Sequence, residues 1–247
     1  MHTDAGFIDA SSQGRLREGV SISRVVDLTH TLTPDFPSFF GKAFEEENKF
    51  AFEKDGLNLK VIKYAEHVGT HFDAPIHFSA DGLSIDEIPV ERLVCPLVVI
   101  DVRIGAHKDR DYRLSLADIS AFEREHGEIP ENACVAMWSG WEAHLGTERY
   151  RGEDSNGVLH FPGFHEEVAD FLIRERQVNG IAVDTMSLDR GCSTDSKVHY
   201  RWLPSGRYGI ENLANLVALP PVGATLIAGA PKIEGATGGP GRVMALV

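Results

Sequence analysis

One short stretch of the chain carries most of the side chains that could do chemistry. Within eleven residues it holds three histidines and one aspartate, namely His67, His71, Asp73 and His77. The four lie at even spacings, so in an extended backbone they would share one face. Imidazole and carboxylate donors without a thiolate suit zinc, manganese or iron, and disfavour a purely structural zinc site. The spacing therefore predicts a metal centre that does chemistry.

The elements that must position this cluster begin with strands. A β-branched apolar run at 95–102 predicts a strand that is buried on both faces. Shorter apolar runs predict further strands at 133–138, 181–184 and 224–229. Strands separated by helix-length segments are typical of an α/β domain.

Helical signals lie between these strands. Ser115 has the position of an N-cap, with Asp118 as its capping-box partner and Gly127 closing the helix. Apolar residues at helical spacing predict a second helix over 164–172. The segment 140–163 is polar and shows no periodicity, which predicts a long loop with a functional or mobile role.

The composition is that of a globular chain with an acidic surface. It has 24 basic against 37 acidic residues, a formal net charge of −13, and 43% hydrophobic residues. Such a charge repels phosphate backbones and anionic lipid headgroups, so neither nucleic acid nor a membrane is expected as a partner. No apolar run approaches the ~20 residues that cross a bilayer. The expected partner is a small-molecule substrate.

The predicted organisation is a flexible, polar N-terminal arm at 1–21 followed by one α/β domain over 22–247. We find no repeat, low-complexity stretch or linker inside that domain. The three cysteines are far apart and form no CxxC pair, so they indicate neither a disulfide framework nor a thiolate zinc site: Cys95, Cys134 and Cys192. A cytoplasmic location is therefore expected.

The histidine segment resembles the HxGTHxDxPxH signature of the metal-dependent cyclase family, which includes kynurenine formamidases (arylformamidases) and isatin hydrolases. Every fixed position of the signature is present at 67–77. The similarity continues at 184–189, 209–213 and 238–242, and so covers roughly 22–247. It implies a single swivelling β/β/α domain of the α/β class. Family members are usually dimers or larger, so a homodimer or homotetramer is expected.

The resemblance also implies metal-binding roles. His67 and His71 look like ligands of a first metal, and Asp73 looks like a carboxylate that bridges to a second. His199 and Glu211, twelve residues apart, look like the second metal's own ligands. Without the resemblance, Glu211 would be a carboxylate at the start of a helix. The implied cofactor is Zn²⁺ or Mn²⁺, with one or two ions per chain.

Two further positions bear on catalysis and on the substrate. His77 looks like the family's catalytic general acid/base. Phe39 would either stack on an aryl substrate or pack in the core. The loop around it, 36–42, lacks the acidic position of typical formamidases, which puts kynurenine specificity in doubt. Conversely, the presence of Glu211 favours two metals and weakens a firm isatin assignment.

The implied activity is metal-dependent hydrolysis of a C–N bond other than a peptide bond. A small, aryl amide or cyclic amide would be cleaved in the arylformamidase manner by metal-bound hydroxide, because a divalent metal lowers the pKa of its water from roughly 15.7 to about 7. Thr70 and Asp184 would either fix imidazole tautomers or serve backbone hydrogen bonds.

Three alternatives remain open at this point. One is lactam opening of the isatin hydrolase type, within the same family. Another is a mononuclear iron oxygenase that uses His71, Asp73 and His199 as two histidines and one carboxylate, which leaves the other candidate residues without a role. The third is a non-catalytic protein that binds a metal or a small molecule, against which the presence of His77 argues.

Overall fold

The computed structural model describes residues 22–247, so the arm predicted at 1–21 lies outside the described residues. The described residues form both β-strands and α-helices. The strands are β1 (Val25–Asp27), β2 (Phe44–Phe50), β3 (Leu59–Tyr64), β4 (His71–Asp73), β5 (Val94–Asp101), β6 (Arg113–Leu114), β7 (Cys134–Trp138), β8 (Gly163–Phe164), β9 (Gly180–Val183), β10 (Tyr208–Glu211), β11 (Ala224–Gly229), β12 (Gly238–Pro240) and β13 (Arg242–Leu246). The helices are α1 (Phe52–Asp55), α2 (Arg103–Lys108), α3 (Leu116–His126), α4 (Glu166–Arg174) and α5 (Lys197–Trp202).

Nine of the described strands form one mixed sheet in the order β1-β13-β11-β5-β7-β9-β10-β4-β12. The four central strands β5, β7, β9 and β10 run parallel to one another. Strand β4, which carries His71 and Asp73, pairs antiparallel with β10 on one side and with β12 on the other. The Gly-rich tail of the chain thus supplies a strand, β12, beside the histidine cluster.

Apolar side chains are buried on both faces of this sheet. In β5, Leu97 and Val99 belong to one core cluster, whereas Val98 and Ile100 belong to another on the opposite face. Buried residues of α3, α4 and α5 join the second cluster. The prediction that 95–102 is a strand buried on both faces is therefore confirmed, with the strand running from Val94 to Asp101. This sheet holds the site residues of β4 and β10.

The predicted helix after Ser115 is confirmed, and the second helix begins later than predicted. Ser115 and Asp118 form the capping box of α3, whose C-cap is Gly127. Phe164, assigned to a helix from its spacing, lies instead in β8, which pairs with β6. Helix α4 starts after His165, because the ring nitrogen of that residue accepts a hydrogen bond from a backbone amide of the first turn.

The segment 140–163 is better ordered than its sequence pattern predicts. It contains two short 3-10 turns, Trp141–His144 and Glu148–Tyr150. Its aromatic residues Trp141, Tyr150 and Phe161 pack in a small buried cluster, in which Tyr150 is fully buried. The prediction of a long, unstructured loop missed this cluster because its members are too far apart in sequence to produce a periodic signal.

Two further expectations can be compared with residues 22–247. No helix within this range is long and apolar enough to cross a membrane. All three cysteines are free, so there is no disulfide among them.

Candidate active site

Strands β4 and β10 bring two carboxylates and one imidazole together. His71 and Asp73 are two residues apart on β4 and so project from the same face of the sheet. Glu211 lies directly opposite His71 in the antiparallel register with β10. All three side chains are almost completely buried. Glu211 ends a strand, so its alternative role as a carboxylate at the start of a helix is wrong.

The remaining members of the histidine segment reach the same point by other routes. His67 precedes β4 and places its Nδ1 atom 2.7 Å from Oδ1 of Asp73. His77 lies at the end of a 3-10 turn that begins at Pro75, so the expectation of a fully extended segment is wrong there. Proline fixes its own φ and favours such a turn over a continued strand. The ring of His77 nevertheless returns to the cluster and stacks on His67, with centroids 3.8 Å apart.

His199 enters the cluster from helix α5, far away in the sequence. Its Nδ1 atom lies 2.6 Å from Oδ2 of Asp189, which also accepts hydrogen bonds from two backbone amides of the same helix. Asp189 therefore fixes both the helix start and the imidazole orientation. Sequence reasoning did not assign this role, because an aspartate ten residues before a histidine gives no recognisable spacing signal.

Hydrogen bonds define which nitrogen of each buried imidazole faces the centre. The Nδ1 atom of His71 lies 2.9 Å from the carbonyl oxygen of Gly69, an atom that only accepts. Nδ1 of His71 therefore carries a hydrogen, and the lone pair of the neutral ring is on Nε2. The same argument holds for His199, whose Nδ1 donates to Asp189. Both Nε2 atoms point at the pair of carboxylates.

These lone pairs face other acceptors rather than donors. Nε2 of His71 lies 3.3 Å from Oε2 of Glu211 and 3.5 Å from Oδ1 of Asp73. Nε2 of His199 lies 3.2 Å from Oε1 of Glu211 and 3.4 Å from Oδ2 of Asp73. Within 22–247, Nε2 of His71 and Oδ2 of Asp73 are buried and have no hydrogen-bond partner. Buried polar atoms without partners are costly, so the arrangement calls for a positive charge at its centre.

The raised pKa values of the two histidines also indicate that the site favours a positive charge. Burial alone would lower the pKa of His71, but Asp73 and Glu211 raise it to about 9. The pKa of His199 is likewise raised well above its usual value despite burial, through Asp189, Asp73 and Glu211. A bound divalent cation would supply the positive charge that the two histidines otherwise provide by binding protons. Zinc and manganese are also commonly bound by the donors present here, two neutral imidazoles and two carboxylates. The residues therefore fit a metal.

His77 differs from its neighbours. Its ring forms no side-chain hydrogen bond with any residue of the described range, and one side of it stacks on His67. Burial lowers its pKa to about 4, and the neighbouring histidines add to this effect. The ring is therefore neutral at neutral pH and has a nitrogen free to take up a proton.

The cluster opens into a cavity of about 180 Å³. Phe39 lies at its rim, where half of its surface is exposed, so the alternative that Phe39 packs in the core is wrong. Phe40 and Phe78 also line the cavity, together with Ser187 and Ser196. An aromatic rim above a polar, charged floor suits a small substrate with an aryl face and a polar group to be cleaved.

Thr70 and Asp184 serve the backbone rather than an imidazole. The hydroxyl of Thr70 accepts from the amide of His30 and donates to the carbonyl of Asn212. The carboxylate of Asp184 accepts from the amides of Ser139 and Trp141. The structure thus selects the backbone alternative for both residues.

The sequence of this chain is similar to those of known hydrolases along most of its length. Residues 26–190 match the family described as "Putative cyclase". Isatin hydrolase of Roseibium aggregatum is 36% identical over 245 residues, which cover 90% of this chain and 91% of that protein. A kynurenine formamidase of Salinibacter ruber is 26% identical over 192 residues, covering 78% of this chain and 81% of that protein.

A solved structure gives the same result at the level of the fold. Isatin hydrolase A from Labrenzia aggregata, bound to benzyl benzoate, superposes with a TM-score of 0.85 and 40% sequence identity. The match covers 91% of this chain and 93% of that one. The α/β fold class predicted from the sequence is therefore confirmed, including its similarity to cyclase-type domains.

Proposed function

This chain belongs to the cyclase family, and on that basis we propose that it is a metal-dependent hydrolase that opens a small aryl amide or cyclic amide. The observation that carries the proposal is the pair of buried Nε2 atoms, on His71 and His199, that both face the carboxylates of Asp73 and Glu211. A divalent metal is the ligand that such a centre accommodates.

We assign metal binding to the residues that surround Asp73. His67 and His71 would hold a first metal with Asp73, and His199 and Glu211 would help to hold a second one beside it. His67 would exchange its present hydrogen bond to Asp73 for the metal. A bound divalent metal supplies a water of lowered pKa and polarises the carbonyl to be attacked. Zinc or manganese is the proposed ion.

The chain's own residues do the rest of the chemistry. Hydrolysis of an amide breaks the C–N bond and requires a proton on the departing nitrogen. His77 is neutral at neutral pH and has no competing side-chain hydrogen bond within 22–247, so it can take a proton from the attacking water and deliver it to that nitrogen. Phe39 and Phe40 would lie against the aryl face of the substrate and exclude water from one side of the cavity.

Among cyclic and open-chain amides, we favour a lactam fused to an aromatic ring, because the higher identity to isatin hydrolases outweighs the presence of Glu211, which by itself weakens an isatin assignment. Isatin hydrolases are the more similar relatives, at 36% and 40% identity, against 26% for the kynurenine formamidase. The early loop also lacks the acidic position of typical formamidases. An iron oxygenase needs a single carboxylate with two histidines, whereas here both Asp73 and Glu211 face His71 and His199. A metal-dependent hydrolase would use all four of these side chains as ligands.

The proposed function is tested with a panel of substrates under anaerobic conditions. The full chain is loaded with zinc or with manganese and assayed on isatin, on N-formylkynurenine and on an aliphatic lactam. We expect ring opening of isatin at the highest kcat/KM and no requirement for oxygen. Metal binding without turnover on any amide would show a binding protein, and turnover that requires oxygen would show an oxygenase.

Replacing Glu211 tests whether the centre holds two metals. We expect the metal-loaded chain to contain about two equivalents and Glu211→Gln to contain about one, since the amide keeps the size of the side chain but loses its charge. The substitution also keeps an oxygen for the backbone amide of Leu188, to which Glu211 now bonds. Elemental analysis after desalting measures the ratio. Glu142→Gln, at a half-buried carboxylate outside the site, is the control and should keep two equivalents. One equivalent in both proteins would establish a mononuclear centre.

Phe39 is proposed to contact the substrate. Phe39→Ala should raise KM for an aryl substrate about tenfold with little change in kcat, because aromatic contacts contribute about 0.5–1.5 kcal/mol beyond simple burial. Steady-state kinetics on isatin and on the aliphatic lactam measure the effect, which should be confined to isatin. Phe52→Ala, at an exposed phenylalanine away from the cavity, is the matched control. An equal rise in KM for both substrates would contradict a stacking role.

We also propose that the chain forms a homodimer or homotetramer through the hairpin formed by β2 and β3. Every residue of β3 is exposed, including Leu59, Val61, Ile62 and Tyr64. A hairpin that exposes apolar side chains on both of its faces is typical of a protein contact. The double substitution of Val61 and Ile62 by lysine should therefore reduce the molar mass in solution, measured by sedimentation equilibrium. Ile104→Lys, at an exposed apolar residue of α2, should not, and a monomeric wild-type chain would refute the proposal.

A further inference from the structure

A second cluster of metal-binding side chain types lies outside the active site. Asp111, His160 and Cys192 come from three separate segments, before β6, before β8 and between β9 and α5. One potential ligand atom of each lies within 4.8 Å of those of the other two. None of the three belongs to the cluster around Asp73, and none lines the cavity of about 180 Å³ above it.

The imidazole of His160 lies between two carboxylates. Its Nδ1 atom is 2.7 Å from Oδ2 of Asp111. Its Nε2 atom is 3.7 Å from Oδ2 of Asp154, is buried, and has no hydrogen-bond partner within 22–247. A neutral imidazole carries a hydrogen on one nitrogen only, so whenever this ring is neutral one of its nitrogens presents a lone pair to a carboxylate. A cation relieves this contact.

Tight backbone packing fixes Cys192 beside this imidazole. The amide of Gly191 donates a 2.9 Å hydrogen bond to the carbonyl of Phe161. A Cβ atom at Gly191 would lie 2.7 Å from the backbone nitrogen of Phe161, so only glycine permits this approach. A Cβ atom at Gly152 would likewise clash with the carbonyl oxygen of His160, so glycine is required there as well. The loop that carries Cys192 is therefore held against the segment that carries His160 before any ligand binds.

Solvent reaches the cluster from two sides. Cys192 borders a polar cavity of about 140 Å³, and His160 borders another of about 370 Å³. The thiol is free and only partly buried. A metal ion thus has a path to these side chains that does not pass through the active site.

We propose that Asp111, His160 and Cys192 form a second metal site that takes zinc. One thiolate, one imidazole and one carboxylate, with solvent as the fourth donor, match the ligand types and number of tetrahedral zinc. The thiolate favours zinc over magnesium, calcium or manganese, which prefer oxygen donors. On binding, the thiol of Cys192 releases its proton to solvent, so affinity falls as the pH falls. The bound ion would join the segment 140–163 to the loop between β9 and α5.

Cobalt substitution of the full chain distinguishes this site from the active site, because only a thiolate ligand gives a thiolate-to-cobalt charge-transfer band. The chain is stripped of metal with a chelator and titrated with Co²⁺ alone. We expect the band in the wild-type chain and also in Asp73→Asn, whose active site is disrupted. Cys192→Ser should lose the band and about one equivalent of bound cobalt, and His160→Asn should lose at least about tenfold in affinity.

Cys95→Ser is the matched control. Cys95 is buried in the core and lies outside the cluster, so this variant should keep both the band and the stoichiometry of the wild type. A wild-type chain without a thiolate band would overturn the proposal. So would a band that persists in Cys192→Ser. Because Cys192→Ser is nearly isosteric at a partly exposed position, circular dichroism should show that the variant folds like the wild type.

Discussion

Asp73→Asn is expected to remove bound metal and to abolish amide hydrolysis. Asp73 is the group at which three imidazoles meet, those of His67, His71 and His199. An amide of the same size cannot supply the negative charge, and its NH₂ group would oppose any cation. We expect kcat/KM to fall by about 10³-fold or more, because single electrostatic groups are worth about 10²–10³-fold and loss of metal also removes the activated water.

Metal content and turnover are measured on the same preparation. The matched control is Asp184→Asn, which also places an amide at a buried carboxylate, one that bonds to the amides of Ser139 and Trp141. That variant should lose stability but keep its metal. Wild-type metal content together with wild-type turnover in Asp73→Asn would contradict the assignment.

The same substitution has a second readout in the metal-free protein. The pKa of His71 is about 9 in the folded chain and about 6.5 in the unfolded chain. Between these values the unfolded state has released a proton that the folded state keeps, so the free energy of unfolding should fall as the pH rises from about 6.5 to about 9. Asp73 is a cause of this shift, so Asp73→Asn should flatten the dependence. Urea unfolding in the presence of a chelator measures it.

How much of the site can be predicted from the sequence depends on how local its residues are. His67, His71 and Asp73 lie within one short segment, so their common role follows from spacing and resemblance alone. Glu211 reaches them only because β10 pairs with β4, and His199 only because α5 packs near that pair. Spacing cannot reveal such tertiary pairing, and those two assignments rested on the family resemblance.

Orientation was the part that the sequence could not supply. Asp189 sets the tautomer of His199 through a single contact, and the carbonyl of Gly69 does the same for His71. Backbone carbonyls carry no sequence signal, and the sequence does not distinguish imidazole contacts of Thr70 and Asp184 from the backbone contacts that they make in the structure. The fold could be predicted more completely, because a run of consecutive apolar residues indicates a buried strand such as β5.

His77→Ala is expected to separate proton transfer from metal binding. The ring of His77 stacks on His67 but bonds to no carboxylate in the described range, whereas His67 bonds directly to Asp73. Removing His77 therefore leaves the proposed ligands in place. We expect wild-type metal content, a nearly unchanged KM and a kcat lowered by about 10²–10⁴-fold, the usual contribution of general acid–base catalysis.

The pH profile and chemical rescue identify the cause of that loss. Burial lowers the pKa of His77 to about 4 in the metal-free chain, so the wild-type rate should fall only on the acidic side, where the base becomes protonated. His77→Ala should lack this acidic limb, and added imidazole should restore part of kcat by entering the space that the ring vacates. His144→Ala, at a histidine that contacts Trp141 outside the site, should behave as the wild type. If His77→Ala loses metal instead, His77 is a ligand, and the proton must be carried by another group.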